Sequence, residues 1–83
     1  MRSLDPGITL CDLSQLIGRD QHVRVYLKRH RYTLPPQLIF NNKAMYLGFN
    51  DETVYNGYRS VQEIRMEPHL FAKPVLNVYL SCT

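Results

Sequence analysis

The chain has 83 residues, the length of about one small domain, which excludes a multidomain enzyme, a two-lobed dinucleotide-binding protein or an eight-stranded α/β barrel. Hydrophobic residues make up 45% and charged residues 20%, so the chain is apolar enough to fold and lacks the composition of a disordered segment. Ten Lys and Arg against seven Asp and Glu leave a charge of +3, a mild basic balance that does not by itself define a nucleic-acid binder.

The opening residues place Asp5, Pro6 and Gly7 where a signal peptide needs an unbroken apolar run. No stretch approaches the ~18 apolar residues of a membrane span, so the chain reads as soluble and cytoplasmic, with no membrane partner. Residues 8–18 carry the clearest local signal. Thr9 and Asp12 match a capping box, Ile8 and Leu13 stand at the staple positions, and Leu10, Leu13, Leu16 and Ile17 recur at helical spacing. Gly18 is placed to stop the helix in a left-handed conformation. A helix this short is stable only if its apolar stripe is covered.

The covering layer is expected to be a sheet. Residues 22–29 alternate strictly, with Val23, Val25 and Leu27 on one side and Arg24, Tyr26 and Lys28 on the other. Residues 74–82 repeat the pattern, Leu76, Val78, Leu80 and Cys82 against Asn77, Tyr79 and Ser81, with Pro74 at the start where a missing amide is tolerated. Residues 44–49 and 61–66 read as further strands, and Gln62 is the one residue that breaks the pattern of the latter. Asn41-Asn42, Asn50-Asp51 and Asn56-Gly57 read as turns. Pro35 and Pro36 make residues 32–37 irregular and stiff, which reads as a rigid connector, with a recognition loop as the alternative. The expected fold is α+β, one short N-terminal helix packed on a four- to five-stranded antiparallel sheet, as a single domain over residues 1–83.

Little of this resembles a catalytic or metal centre. His22, His30 and His69 stand in no ligand spacing, and His22 and His30 at the ends of one strand would lie about 27 Å apart. No nucleophile elbow, phosphate-cradling glycine loop or carboxylate pair is present. The expectation is a non-enzymatic protein without cofactor or metal. Cys11 and Cys82 are too few for a disulfide scaffold; a single bridge between them is one reading, and two reduced thiols the plainer one.

Two features point to binding. Residues 19–32 hold Arg19, Arg24, Lys28, Arg29 and Arg31, half of the basic residues, together with Tyr26 and Tyr32. Cations beside aromatics suit single-stranded nucleic acid or a nucleotide, although the same charges guard an edge strand against aggregation. The chain also has six Tyr and no Trp. Tyr26 and Tyr79 fall on the faces opposite the apolar stripes, so if the two Val-Tyr-Leu strands are neighbours, Arg24, Tyr26, Asn77 and Tyr79 form one patch. Tyr and Arg are enriched at binding hot spots. Tyr55 and Tyr58 flank Asn56-Gly57 and would be presented at a turn. The competing reading is that such tyrosines cover the second face of the sheet or a dimer interface.

The order of these elements, a capped leading helix (TLCDLSQLI), a first alternating strand (HVRVYL), the V-Y-x-G-Y turn of Val54 to Tyr58, a V-x-x-I strand and a closing L-x-V-x-L strand, resembles short accessory proteins of phages and mobile elements of Gram-positive bacteria. Pro35-Pro36 and the basic strand depart from that pattern. The resemblance implies a small non-enzymatic binder, of the size and style of anti-CRISPR-type inhibitors of bacterial defence, and assigns no residue. The expectation is therefore a protein-binding module using Arg24, Tyr26, Lys28, Asn77 and Tyr79. The alternatives are a nucleic-acid or nucleotide binder using Arg19, Arg24, Lys28, Arg29, Arg31 and Tyr32, and a structural self-assembling subunit or homodimer.

Overall fold

The capping box read from Thr9 and Asp12 forms in the computed structural model, which describes residues 8–29 and 34–81. Thr9 Oγ1 accepts from the Asp12 amide at 3.2 Å and Asp12 Oδ2 accepts from the Thr9 amide at 3.3 Å, which satisfies two donors that a helix start leaves free. The helix, α1 (Leu10–Ser14), is shorter than the periodicity predicts. Beyond Ser14 the bonds tighten to i→i−3, Gln15 N to Asp12 O and Leu16 N to Leu13 O, as helix ends commonly do. The chain then leaves before Leu16 reaches the core. Leu16 is 75% exposed, whereas Leu10 and Leu13 are buried and Ile17 packs at the core edge. Gly18 does not take the left-handed conformation expected of it; no described glycine has a positive φ.

The two alternating segments become β1 (His22–Leu27) and β4 (Val75–Leu80), and residues 61–67 form β3 (Val61–Glu67). β2 (Gln37–Lys43) was not legible as a strand and absorbs the Asn41-Asn42 pair read as a turn. Asn42 lies opposite Val23 and Asn41 opposite Arg24. The sheet has the order β2-β1-β4-β3. It is mixed: β1 pairs with β2 and β4 with β3 antiparallel, but β1 and β4 run parallel at the centre. Alternation specifies which side chains share a face and carries no strand direction. Direction follows from the connections, and the segment between β2 and β3 carries the chain from one edge of the sheet to the other.

That connection corrects a further expectation. Residues 44–49 are no strand; they form a 3₁₀ turn (Ala44–Phe49) followed by α2 (Asp51–Tyr55). The Ala44 and Met45 amides donate to the carbonyls of Gln21 and Arg19, which draws the chain away from the sheet edge. Ala44 and Leu47 are both buried, the three-residue spacing of a 3₁₀ turn rather than the two of a strand. Asn50, read as a turn residue, caps α2 through Oδ1 on the Thr53 amide at 3.1 Å. Buried Thr53 donates its hydroxyl to Leu47 O at 2.6 Å and fixes α2 against the 3₁₀ turn. Asn56 ends α2 within a turn that includes Gly57, as that dipeptide predicts.

Two bulges explain local departures from alternation. Val25 faces Phe40 but Tyr26 faces Leu38, so Ile39 is the extra residue, and Ile39 and Phe40 are both buried. In β3, Val61 faces Leu80 and Glu63 faces Tyr79, which leaves Gln62 as the extra residue. The core gathers Val23, Val25, Val78 and Leu80, all 0% exposed, with Leu10, Leu13, Phe40, Leu47 and Val61. The described chain is thus a small α+β fold with a four-stranded mixed sheet and short helices. Among the described residues, no helix is long and apolar enough to cross a membrane.

Candidate functional site: the second face of the sheet

Side chains alternate across a strand, so the residues between the core positions of β1 and β4 form a second face. Pairing across the four strands sets them in rows. Leu38, Tyr26, Tyr79 and Glu63 make one row, Asn41, Arg24, Asn77 and Arg65 the next, and Lys43, His22, Val75 and Glu67 the third. The buried side chains of α1 and the 3₁₀ turn belong to the cluster on the opposite face. Among the described residues, no helix contributes to this one.

The β1–β4 neighbourhood on which the predicted patch depended is present, and Tyr26 lies opposite Tyr79. Their rings stack with centroids 4.9 Å apart and planes 13° from parallel. An offset aromatic pair contributes roughly 0.5–1.5 kcal/mol beyond the area it buries. The Arg65 guanidinium stands over the Tyr79 ring, 6.0 Å from its centroid. Because β3 and β1 flank β4 on opposite sides, Tyr79 has one ring face against Tyr26 and the other toward Arg65. What it offers outward is the ring edge and the hydroxyl.

The charges around the stack are of both signs. Glu67 reaches across β4, with Arg24 Nη1 3.4 Å from Oε1, Asn77 Nδ2 donating at 3.2 Å and His69 Nε2 at 3.4 Å. Glu63 pairs with Arg65 and lies 4.0 Å from Lys28 Nζ. Three cations therefore meet two carboxylates, and none of these pairs is deeply buried, so each contributes at most about 1 kcal/mol. Asn77 is only 5% exposed, and its Oδ1 is buried with no hydrogen-bond partner among the described residues. A buried acceptor left unpaired costs about 1–3 kcal/mol.

Of the residues singled out in the sequence, Arg24, Tyr26, Asn77 and Tyr79 share this face, and Lys28 follows β1 with its ammonium near Glu63. Arg19 lies in the loop before β1 and Arg29 beyond its end, both exposed. Arg31, Tyr32, His30 and Cys82 fall outside the described residues; Cys11 is an exposed free thiol. Tyr55 and Tyr58 are exposed at the end of α2, where the Arg59 guanidinium covers the Tyr58 ring at 5.3 Å. Sequence reasoning missed Glu63, Arg65 and Glu67. Their spacing of two, opposite Ile64 and Met66, was the signal that places them on this face.

No family model, curated protein or solved structure matches this chain, so a functional reading stands on the geometry.

Proposed function

We propose that the chain is a non-enzymatic protein-binding module and that its partner docks on the second face of the sheet, contacting Arg24, Tyr26, Lys28, Asn77 and Tyr79. The observation that carries this reading is the Tyr26–Tyr79 stack, set at the centre of a face to which no described helix contributes and bordered by charges of both signs. A rigid aromatic pair loses little side-chain entropy on binding, and a rim of mixed charge selects orientation more than raw affinity.

The same details weigh against the nucleic-acid reading. A single-stranded nucleic acid needs a net positive track and open ring faces. Here Arg24 and Lys28 each face a carboxylate, and the Tyr79 ring lies between Tyr26 and Arg65. Affinity capture from a bacterial lysate, with and without nuclease, separates the two. The reading expects a captured protein that survives nuclease treatment. Recovery that disappears with nuclease, or an oligonucleotide affinity that falls steeply with salt, would transfer the function to nucleic acid. A large oligomer by size-exclusion light scattering would instead make the chain a self-assembling subunit.

A further inference from the structure

The third row of the open face ends beside the loop that joins β3 to β4. That loop, residues 68–74, is bracketed by Pro68 and Pro74, each of which fixes φ and limits local freedom. At its tip Leu70 is 89% and Phe71 96% exposed. Phe and Leu are among the residues most often buried, and two adjacent ones presented almost entirely to solvent need a reason.

The residues on either side of the tip line a pocket of about 280 Å³. His69 and Lys73 come from the loop, His22 and Arg24 from β1, and Lys43 from the end of β2; Asp20 is the one carboxylate of the lining. Arg24 and His69 share Glu67 as a partner. Lys43 and Lys73 have no ion-pair partner among the described residues. Three cationic side chains and two imidazoles from three separate elements therefore line one pocket, with Asp20 in the lining and Glu67 beside Arg24 and His69 offsetting part of the charge. An oxyanion such as a phosphate is the ligand that complements them.

We propose that the loop and this pocket form a peripheral membrane site. The pocket takes the phosphate of an anionic lipid headgroup, and Leu70 and Phe71 enter the boundary between headgroups and acyl chains. Two chemistries on one short loop carry the inference. Leu70 and Phe71 are almost wholly exposed, while their near neighbours His69 and Lys73 line the cationic pocket, the combination of apolar side chains and cations that binds an anionic bilayer surface. A free phosphate would account for the pocket and leave the tip unexplained. The site shares Arg24 with the proposed protein-docking face, but its argument does not rest on that reading.

The test is sedimentation of the full chain with vesicles of phosphatidylcholine alone and with phosphatidylserine added. The chain should sediment with the anionic vesicles, less so as salt rises, and remain in solution with the zwitterionic ones. Removing the two unpaired cations, K43A with K73A, should weaken vesicle binding roughly tenfold or more, from ~1 kcal/mol for each cation near an anionic surface. Replacing the tip, L70S with F71S, should also weaken it, roughly tenfold; these side chains are so exposed that circular dichroism should be unchanged. An inorganic phosphate titration followed by NMR distinguishes the source. Phosphate shifts at the pocket without vesicle binding would overturn the membrane assignment. So would the absence of binding to either vesicle, vesicle binding that L70S/F71S leaves intact, or a tip that is needed only to capture a protein.

Discussion

On one side of β1 and β4, Val23, Val25, Val78 and Leu80 have no solvent exposure; one residue along each strand, Arg24, Tyr26 and Tyr79 remain partly open. The first side is held by shape: branched aliphatic side chains that make no polar demand and are packed under Leu10, Leu13 and Leu47. The second is held by an aromatic stack and by hydrogen bonds from Arg24 and Asn77 to Glu67, which His69 Nε2 also approaches. A side chain lost from the packed side leaves a cavity; one lost from the other leaves a solvated gap. The two faces should therefore separate in experiment, stability following the first and partner binding the second.

The largest effect is expected where the packing is complete. Leu80→Ala should lower the unfolding free energy by about 2–5 kcal/mol, measured by urea denaturation. A loss within the range of surface substitutions, about 0.5 kcal/mol, would mean that the aliphatic side of the sheet is not the core. Next comes the helical layer that makes the two faces different. Thr9→Ala removes half of the capping box and should cost ~1 kcal/mol in the same assay; Thr9→Ser should recover most of it.

On the open face the effects should be smaller and partly hidden. A double-mutant cycle with Tyr26→Phe and Tyr79→Phe should show almost no coupling, because the stack is made by the rings. Truncation of both to Ala should reveal a coupling of roughly 0.5–1.5 kcal/mol. If coupling is absent with Ala, the two rings do not stack in solution. The smallest term is the Arg24–Glu67 pair, partly exposed at both ends. Its coupling should stay below about 1 kcal/mol and shrink as salt is added.

How much of this was legible in the sequence differs between the two faces for a physical reason. Period-two alternation placed Val23, Val25, Val78 and Leu80 together and set Arg24, Tyr26 and Tyr79 opposite them, because side-chain direction is a local property of an extended chain. The parallel pairing of β1 with β4 was not readable, since it depends on a connection that spans the sheet. Residues 44–49 offered apolar groups at both two- and three-residue spacing, and only the bonds from Ala44 and Met45 to the 19–21 loop decided for the 3₁₀ turn. The Asn residues were read as turns, yet Asn50 caps a helix and Asn41 hydrogen-bonds His22 within a strand, because one side-chain amide serves all three uses. Gln62 departs from the pattern of its strand, and its place as the extra residue of a bulge accounts for it. At the candidate site, the aromatic pair was anticipated and the acidic side was not; Glu63 and Glu67 lie on the strand whose polar face went unread.

The most direct test of the central claim places stability and binding on one variant. Tyr26→Ala with Tyr79→Ala is prepared beside the unaltered chain, unfolded in urea, and used for nuclease-treated capture. The account predicts that the variant keeps a cooperative unfolding transition, displaced by no more than a few kcal/mol, and loses the captured protein. A variant that holds the same protein as the unaltered chain would contradict it.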